Sequence, residues 1–142
     1  MSLEPKKITS RIYQGGWIMA DDIPVLTQFG ITHILNLDLP YEDAQPFIDT
    51  GFTLQTVSII DNCLMLPQQV RDIMQVIDND LSFPDHKIYI HCVEGVSRSP
   101  TISWLYLIHT GFSPDEAGKR IHPNPLLYDE LIVNGLTPGL SL

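Results

Sequence analysis

The nine residues HCVEGVSRS, positions 91–99, decide how the chain is read. They come after the apolar run KIYI at 87–90 and lead into SPTISWLYLIHTG, which is apolar nearly all round and is ended by Gly111. A strand that runs through His91 and Cys92 into a glycine-containing turn and then opens a helix directs successive backbone N–H groups inward. The result is a nest for an anion at the positive end of a helix dipole, and phosphate fits that description. A cysteine at the start of such a loop has its thiolate stabilised by those N–H groups and by an arginine at the loop's end. Arg98 offers a planar fork that holds two oxygens of a phosphoryl group and keeps both hydrogen bonds as charge redistributes, which a lysine cannot do equally well. Gly95 supplies either a positive φ or room for an oxygen close to the backbone. Ser97 and Ser99 bring hydroxyls near the nest and the sulfur, and a hydroxyl donated to the thiolate makes it a better leaving group.

Working outward, the elements alternate. ITSRIYQGG at 8–16 reads as a short strand or hairpin closed by Gly15 and Gly16, with Trp17 packing under the next segment of chain. DDIPVLTQFG has a helix's punctuation: an acidic cap at Asp21 or Asp22, Pro24 in the first turn and Gly30 as terminator. ITHILNLD at 31–38 is an apolar, partly β-branched run, the pattern of a strand covered on both faces. EDAQPFIDTG at 42–51 reads as a short helix ended by Gly51, and FTLQTVSI at 52–59 as another strand. From Pro67, the residues Val70, Ile73, Met74, Ile77 and Leu81 recur at offsets of three and four, which predicts an amphipathic helix. Ser113, Pro114 and Glu116 have the spacing of a capping box, and LLYDELIV at 126–133 predicts a last helix. The helix after Arg98 is expected to run through the middle of the domain. Strands alternating with helices predict an α/β fold: one domain over 1–142, a central mostly parallel sheet with helices on both faces, and tails at 1–7 and 136–142.

Composition bounds the function. With 142 residues the chain buries roughly two thirds of the surface its unfolded form exposes, enough for one core. Seventeen acidic against eight basic residues give a net charge of -9, which opposes non-specific attraction to nucleic acid or anionic lipid. No apolar run approaches the 18 or so residues of a membrane span, and MSLEPKKIT lacks the pattern of a signal peptide, so no membrane or nucleic-acid partner is expected and the cytoplasm is the default. The two cysteines, Cys63 and Cys92, are too few for a disulfide framework. The histidines at 33, 86, 91, 109 and 122 show no metal-binding spacing, so neither metal nor cofactor is expected.

HCVEGVSRS is similar to the signature loop of the cysteine-dependent protein tyrosine phosphatase superfamily: His, Cys, two variable residues, Gly, two variable residues, Arg, then Ser or Thr. The short chain, with ITSRIYQGG, FGITHILNLD and the Ser99 ending, resembles the compact dual-specificity branch over roughly residues 8–135, while HPNPLLYDELI is closer to compact prokaryotic-type members. The resemblance implies hydrolysis of phosphomonoesters, with phosphotyrosine in proteins first and phosphoserine or phosphothreonine as alternatives. It implies Cys92 as nucleophile, Arg98 as phosphate clamp, Ser99 as hydroxyl partner of the sulfur, and Val93, Glu94, Gly95, Val96, Ser97 and Arg98 as the phosphate-binding loop. His91 takes a supporting role, holding the loop and tuning the thiolate. The mechanism also implies an acid on a separate upstream loop. Asp61 fits by following the strand TVSI and lying 31 residues before Cys92; Asp38, after ILNL, is the local competitor.

Bland readings stand beside these. Cys63 reads first as a packing residue and second as a redox partner able to trap Cys92 as a disulfide. Leu64, Met65 and Leu66 are loop anchors or a substrate rim. Glu94 places a carboxylate in an anion-binding loop, which disfavours highly phosphorylated substrates and leaves singly phosphorylated groups, including those with basic neighbours, as better candidates. Two other functional classes remain: a phosphate-binding module with weak catalysis, and a thiolate-based redox or sulfur-transfer enzyme.

Overall fold

In the computed structural model, residues 3–59, 67–92 and 98–121 are described. A five-stranded sheet has the order β1-β2-β5-β3-β4, built from β1 (Lys6–Thr9), β2 (Ile12–Gly15), β3 (His33–Asn36), β4 (Thr53–Thr56) and β5 (Ile88–His91). β2, β5, β3 and β4 run parallel, and only β1 pairs antiparallel, with β2. The helices are α1 (Ile23–Gln28), α2 (Gln45–Thr50), α3 (Pro67–Asp80), α4 (Arg98–His109) and α5 (Pro114–Arg120). The mostly parallel α/β fold expected from the sequence is therefore present.

Strand alternation sorts the core into two layers. Ile12, Leu35, Ile88 and Ile90 face the side covered by α3, α4 and α5, where they meet Val70, Ile73, Ile77, Ile102 and Leu105. Their neighbours Tyr13, Ile34 and Tyr89 point the other way, onto Leu26 of α1 and Phe47 of α2. Several helices show the local signal that the sequence carries. In α5 the Ser113 hydroxyl accepts from the Glu116 N–H at 3.1 Å while the Glu116 carboxylate accepts from the Ser113 N–H at 3.2 Å, closing the capping box. α4 is buried from Arg98 through Ile108, as expected of a helix that is apolar nearly all round and runs through the centre. Gly51 ends α2 with φ 104°, a value that the Cβ of other residues disfavours.

Two boundaries differ from expectation. The sheet begins at Lys6 rather than Ile8, so Lys6 and Lys7 belong to β1 and not to a tail; their exposed side chains conceal an edge strand whose backbone pairs with Gln14 and Tyr13. Asp22 does not cap α1. Its carboxylate turns back to accept from the Met19 N–H at 2.8 Å, closing a 3₁₀ turn over Ala20–Asp22. The expected helix at 126–133 and the tail at 136–142 lie outside the described residues. Among the described residues no helix is long and apolar enough to cross a membrane.

The ends of the parallel strands meet where the site will form, and β2 reaches that end only because Gly15 has no side chain. A Cβ there would press into the buried Tyr89 hydroxyl, whose proton goes to the Gly16 carbonyl at 2.9 Å. Gly15→Ala is expected to lower the unfolding free energy by about 1–3 kcal/mol. Part of that loss should return in the Tyr89→Phe background, which makes room at the cost of the Gly16 hydrogen bond. Urea unfolding of the two single variants and the double variant checks this, since strictly additive losses would show that the two residues do not compete for the same space.

Candidate active site

β5 is the central strand, and its last residues carry His91 and Cys92 to the carboxyl end of the sheet, the end where ligands bind in open parallel sheets. The chain re-enters the described structure at Arg98, the first residue of α4. Cys92 and Ser99 are both buried, with Sγ and Oγ 3.5 Å apart. The Ser99 hydroxyl also donates to the Gly15 carbonyl at 3.2 Å, tying α4 to the end of β2. While that hydrogen bond holds, the Ser99 oxygen is available to a thiol proton; when sulfur is ionised, the hydroxyl must rotate to donate to it.

Arg98 is 7% exposed and makes contacts on two neighbouring segments. Nη1 donates to the Ile59 carbonyl at 3.0 Å. The two terminal nitrogens also face the two carboxylate oxygens of Asp38, Nη1 to Oδ1 at 3.4 Å and Nη2 to Oδ2 at 3.4 Å. This near-parallel arrangement fixes the plane of the guanidinium. Asp38, weighed from the sequence as a competing proton donor, is placed instead as the partner of the arginine. It is held there by its surroundings: the Asp38 N–H donates to the buried Asn36 Oδ1 at 2.9 Å, Asp38 Oδ1 accepts from the Leu39 N–H at 2.8 Å, and Ser58 donates to the Asp38 carbonyl. Asn36 completes the turn by donating to the Leu39 carbonyl at 2.8 Å.

His91 is fully buried. One ring nitrogen, Nδ1, lies 3.2 Å from the Cys92 carbonyl, and the other, Nε2, lies 2.7 Å from the Tyr41 hydroxyl. A carbonyl only accepts, so Nδ1 carries the proton and Nε2 takes the Tyr41 hydrogen. Burial is the largest influence on the ring and pushes its pKa down to about 4, against a smaller upward pull from the Cys92 carbonyl. Through Nδ1 the ring holds the backbone of the cysteine. Burial also raises the pKa of Tyr41, which keeps its phenol a donor. Trp17 stacks on Tyr41 with centroids 4.4 Å apart and meets the His91 ring edge-on at 5.5 Å.

Of the residues expected at the site, the described structure brings together His91, Cys92, Arg98 and Ser99. Asp61, Cys63 and Val93 through Ser97 lie outside the described residues, as do Leu64, Met65 and Leu66. The segment leading toward Asp61 is nonetheless anchored at the site, because Val57 and Ile59 continue backbone bonding to Asn36 and Leu37, and the Ile59 carbonyl takes the Arg98 proton. Sequence reasoning missed Tyr41 and the Asp38–Arg98 pair. The aromatic residue sits in a polar loop with no periodic signal, and its partner lies 50 positions away. Among the described residues there is no group of three or more side chains suited to hold a metal ion.

The buried neutral ring has a consequence for acid stability. His91 protonates near pH 4 in the folded chain and near 6.5 when unfolded, so between those values the unfolded state binds more protons and stability falls as the pH drops. The loss across that window amounts to about 3 kcal/mol. Urea unfolding from pH 7 down to pH 4.5 should show a steeper decline for the native sequence than for His91→Gln. Parallel curves would mean that the ring is already protonated or solvated in the fold.

Comparison with known proteins agrees with this arrangement. The family described as the Swiss Army Knife protein, DSP-PTPase phosphatase domain, matches residues 17–129. A MAP kinase phosphatase with leucine-rich repeats (protein 3) from Dictyostelium discoideum is 32% identical over 141 residues, which cover 90% of this chain but 16% of that protein. Dual specificity protein phosphatase 26 of the rat is 29% identical over 114 residues, 78% of this chain and 54% of its own. The chain thus spans about half the length or less of these curated relatives. Among solved structures, Tk-PTP in its active form superposes with a TM-score of 0.80 at 19% identity, covering 97% of each chain, a likeness of fold. With the family match running unbroken from Trp17 across Cys92 and Arg98, the chain belongs to the dual-specificity and tyrosine phosphatase (DSP-PTPase) domain family.

Proposed function

We propose that this protein hydrolyses phosphomonoesters, phosphotyrosine in proteins before phosphoserine or phosphothreonine, through a cysteinyl-phosphate intermediate. The observation that carries the reading is the buried Cys92 sulfur 3.5 Å from the Ser99 hydroxyl, with the guanidinium of the preceding residue fixed in plane at the mouth of a helix. In the first step the Cys92 thiolate attacks phosphorus, an S–P bond forms, and the bond to the leaving oxygen breaks as Asp61 gives it a proton. In the second, the Asp61 carboxylate takes a proton from water, the water oxygen attacks phosphorus, and the S–P bond breaks to release inorganic phosphate. Ser99 donates to sulfur as it leaves. Arg98 and the N–H groups of the 93–98 loop hold the three spectator oxygens throughout.

Family membership supports the phosphatase reading over a binding module or a redox enzyme. The preference for singly phosphorylated substrates rests on the acidic chain and on Glu94 in the loop. Asp61 is favoured as the acid because Asp38 is engaged with Arg98, and because it follows closely on Ile59, whose carbonyl accepts from the same guanidinium.

The test begins with hydrolysis of phosphotyrosine peptides by the native sequence and by Cys92→Ser, which should bind phosphate compounds without turning them over. Asp61→Asn should lose about 10²-fold to 10⁴-fold on phosphotyrosine, whose leaving phenol has a pKa of about 10. It should lose much less on an aryl phosphate with an acidic phenol. Equal losses on both in single-turnover measurements of the first step would move the acid elsewhere.

Asp38→Asn should behave differently. Loosening the Arg98 plane is expected to cost about tenfold to hundredfold in kcat/KM on good and poor leaving groups alike, because positioning of phosphate and not proton supply is damaged. Asp38→Glu should recover part of it. A loss confined to the poor leaving group would instead make Asp38 the proton donor.

A further inference from the structure

Beside the candidate active site lies a second concavity. A cavity of about 510 Å3 is walled by Trp17, Met19, Tyr41, Glu42, Asp43 and Phe47, together with neighbouring backbone and proline rings. It shares a wall with the reaction centre, because Tyr41 hydrogen-bonds to His91 and Trp17 packs edge-on against the same imidazole. Among the described residues that line it none carries a positive charge, and the charged ones are Glu42 and Asp43, both exposed. The Asp22 carboxylate accepts from the backbone N–H of Met19, a lining residue, which sets a further negative charge beside the cavity wall. Met19 is 61% exposed on the rim, an unbranched and adaptable apolar surface.

An aromatic floor with an acidic rim is a cation-selective surface. The ring quadrupoles attract a positive charge laid on their faces, the carboxylates add Coulomb attraction, and the methionine and phenylalanine cover an aliphatic stem. A phosphate has no favourable place here. Resting on the phosphatase reading above, we propose that this cavity is a substrate subsite for a basic side chain, arginine foremost, lying near the phosphorylated residue in a protein substrate. Phosphate and cation would then be read side by side, the anion by Arg98 and the cation by the Trp17–Tyr41 cleft. This arrangement gives the acidic protein a way to select singly phosphorylated, basic-flanked sequences.

The experiment uses phosphotyrosine peptides in which one arginine is moved through the positions on either side of the phosphorylated residue, each matched to a twin carrying citrulline, the neutral isostere. Binding of each fluorescent peptide to full-length Cys92→Ser is measured by anisotropy in about 20 mM and about 200 mM salt. For at least one position, the arginine peptide should bind about threefold to tenfold tighter than its twin at low salt. That ratio should shrink at high salt, and it should approach one in the Glu42→Gln/Asp43→Asn variant. The same ratio read as kcat/KM in the Cys92-containing protein covers the case in which Cys92→Ser folds poorly. Ratios near one at every position, a preference that survives the double substitution, or no binding of either peptide would each overturn the subsite. Failure of the phosphatase reading shows separately, as absence of aryl phosphate turnover by the native sequence, since the arginine-to-citrulline ratio is a binding measurement.

Discussion

A guanidinium buried to 7% exposure at the first residue of a central helix is the constraint around which the rest is arranged. Removing such a charge from water costs several kcal/mol unless partners are supplied, and a cation at the positive end of a helix dipole is further disfavoured. Among the described residues, the partners of Arg98 include the Asp38 carboxylate after β3 and the Ile59 carbonyl beyond β4. Satisfying Arg98 therefore requires that β3 and β4 end beside the point where α4 begins. The parallel pairing of β3 with β4 and β5 provides that alignment, with Asn36 opposite both Thr56 and His91.

The same logic runs through His91. A fully buried imidazole with a depressed pKa is tolerated because each nitrogen has a suitable partner, an acceptor at the Cys92 carbonyl and a donor at Tyr41. Tyr41 and Asp38 lie three residues apart in one loop, so a single turn pinned by Asn36 serves both sides of the cysteine. That turn fixes the arginine at one end of the 92–98 loop and the cysteine backbone at the other.

How much of the molecule is readable from the sequence depends on the range of each interaction. The α3 periodicity, the Ser113 capping box, the glycine terminators and the apolar α4 are signals within one or two turns of chain, and each element is found where its residues announce it. Cys92, Arg98 and Ser99 are close in sequence and carry a spacing with a chemical meaning. Asp38 meeting Arg98 spans 60 positions and Tyr41 meeting His91 spans 50, and neither distance leaves a local pattern. The edge strand at Lys6 is concealed for a different reason: its lysines carry the polarity that keeps an edge from pairing with other chains, which on sequence alone resembles a tail.

The Asp38–Arg98 pair also bears on how tightly a phosphate is held. A guanidinium aimed at an empty anion nest would carry its full charge to the ligand, and the product, inorganic phosphate, carries the same oxygens as the transferred group. Asp38 already neutralises part of that charge along one edge of the guanidinium. On the proposed chemistry the arginine keeps its orientation, which the transition state needs, while its attraction for a bound dianion is moderated in substrate and product alike. Orientation raises the rate and moderated attraction lets product leave, so one carboxylate serves both ends of the cycle.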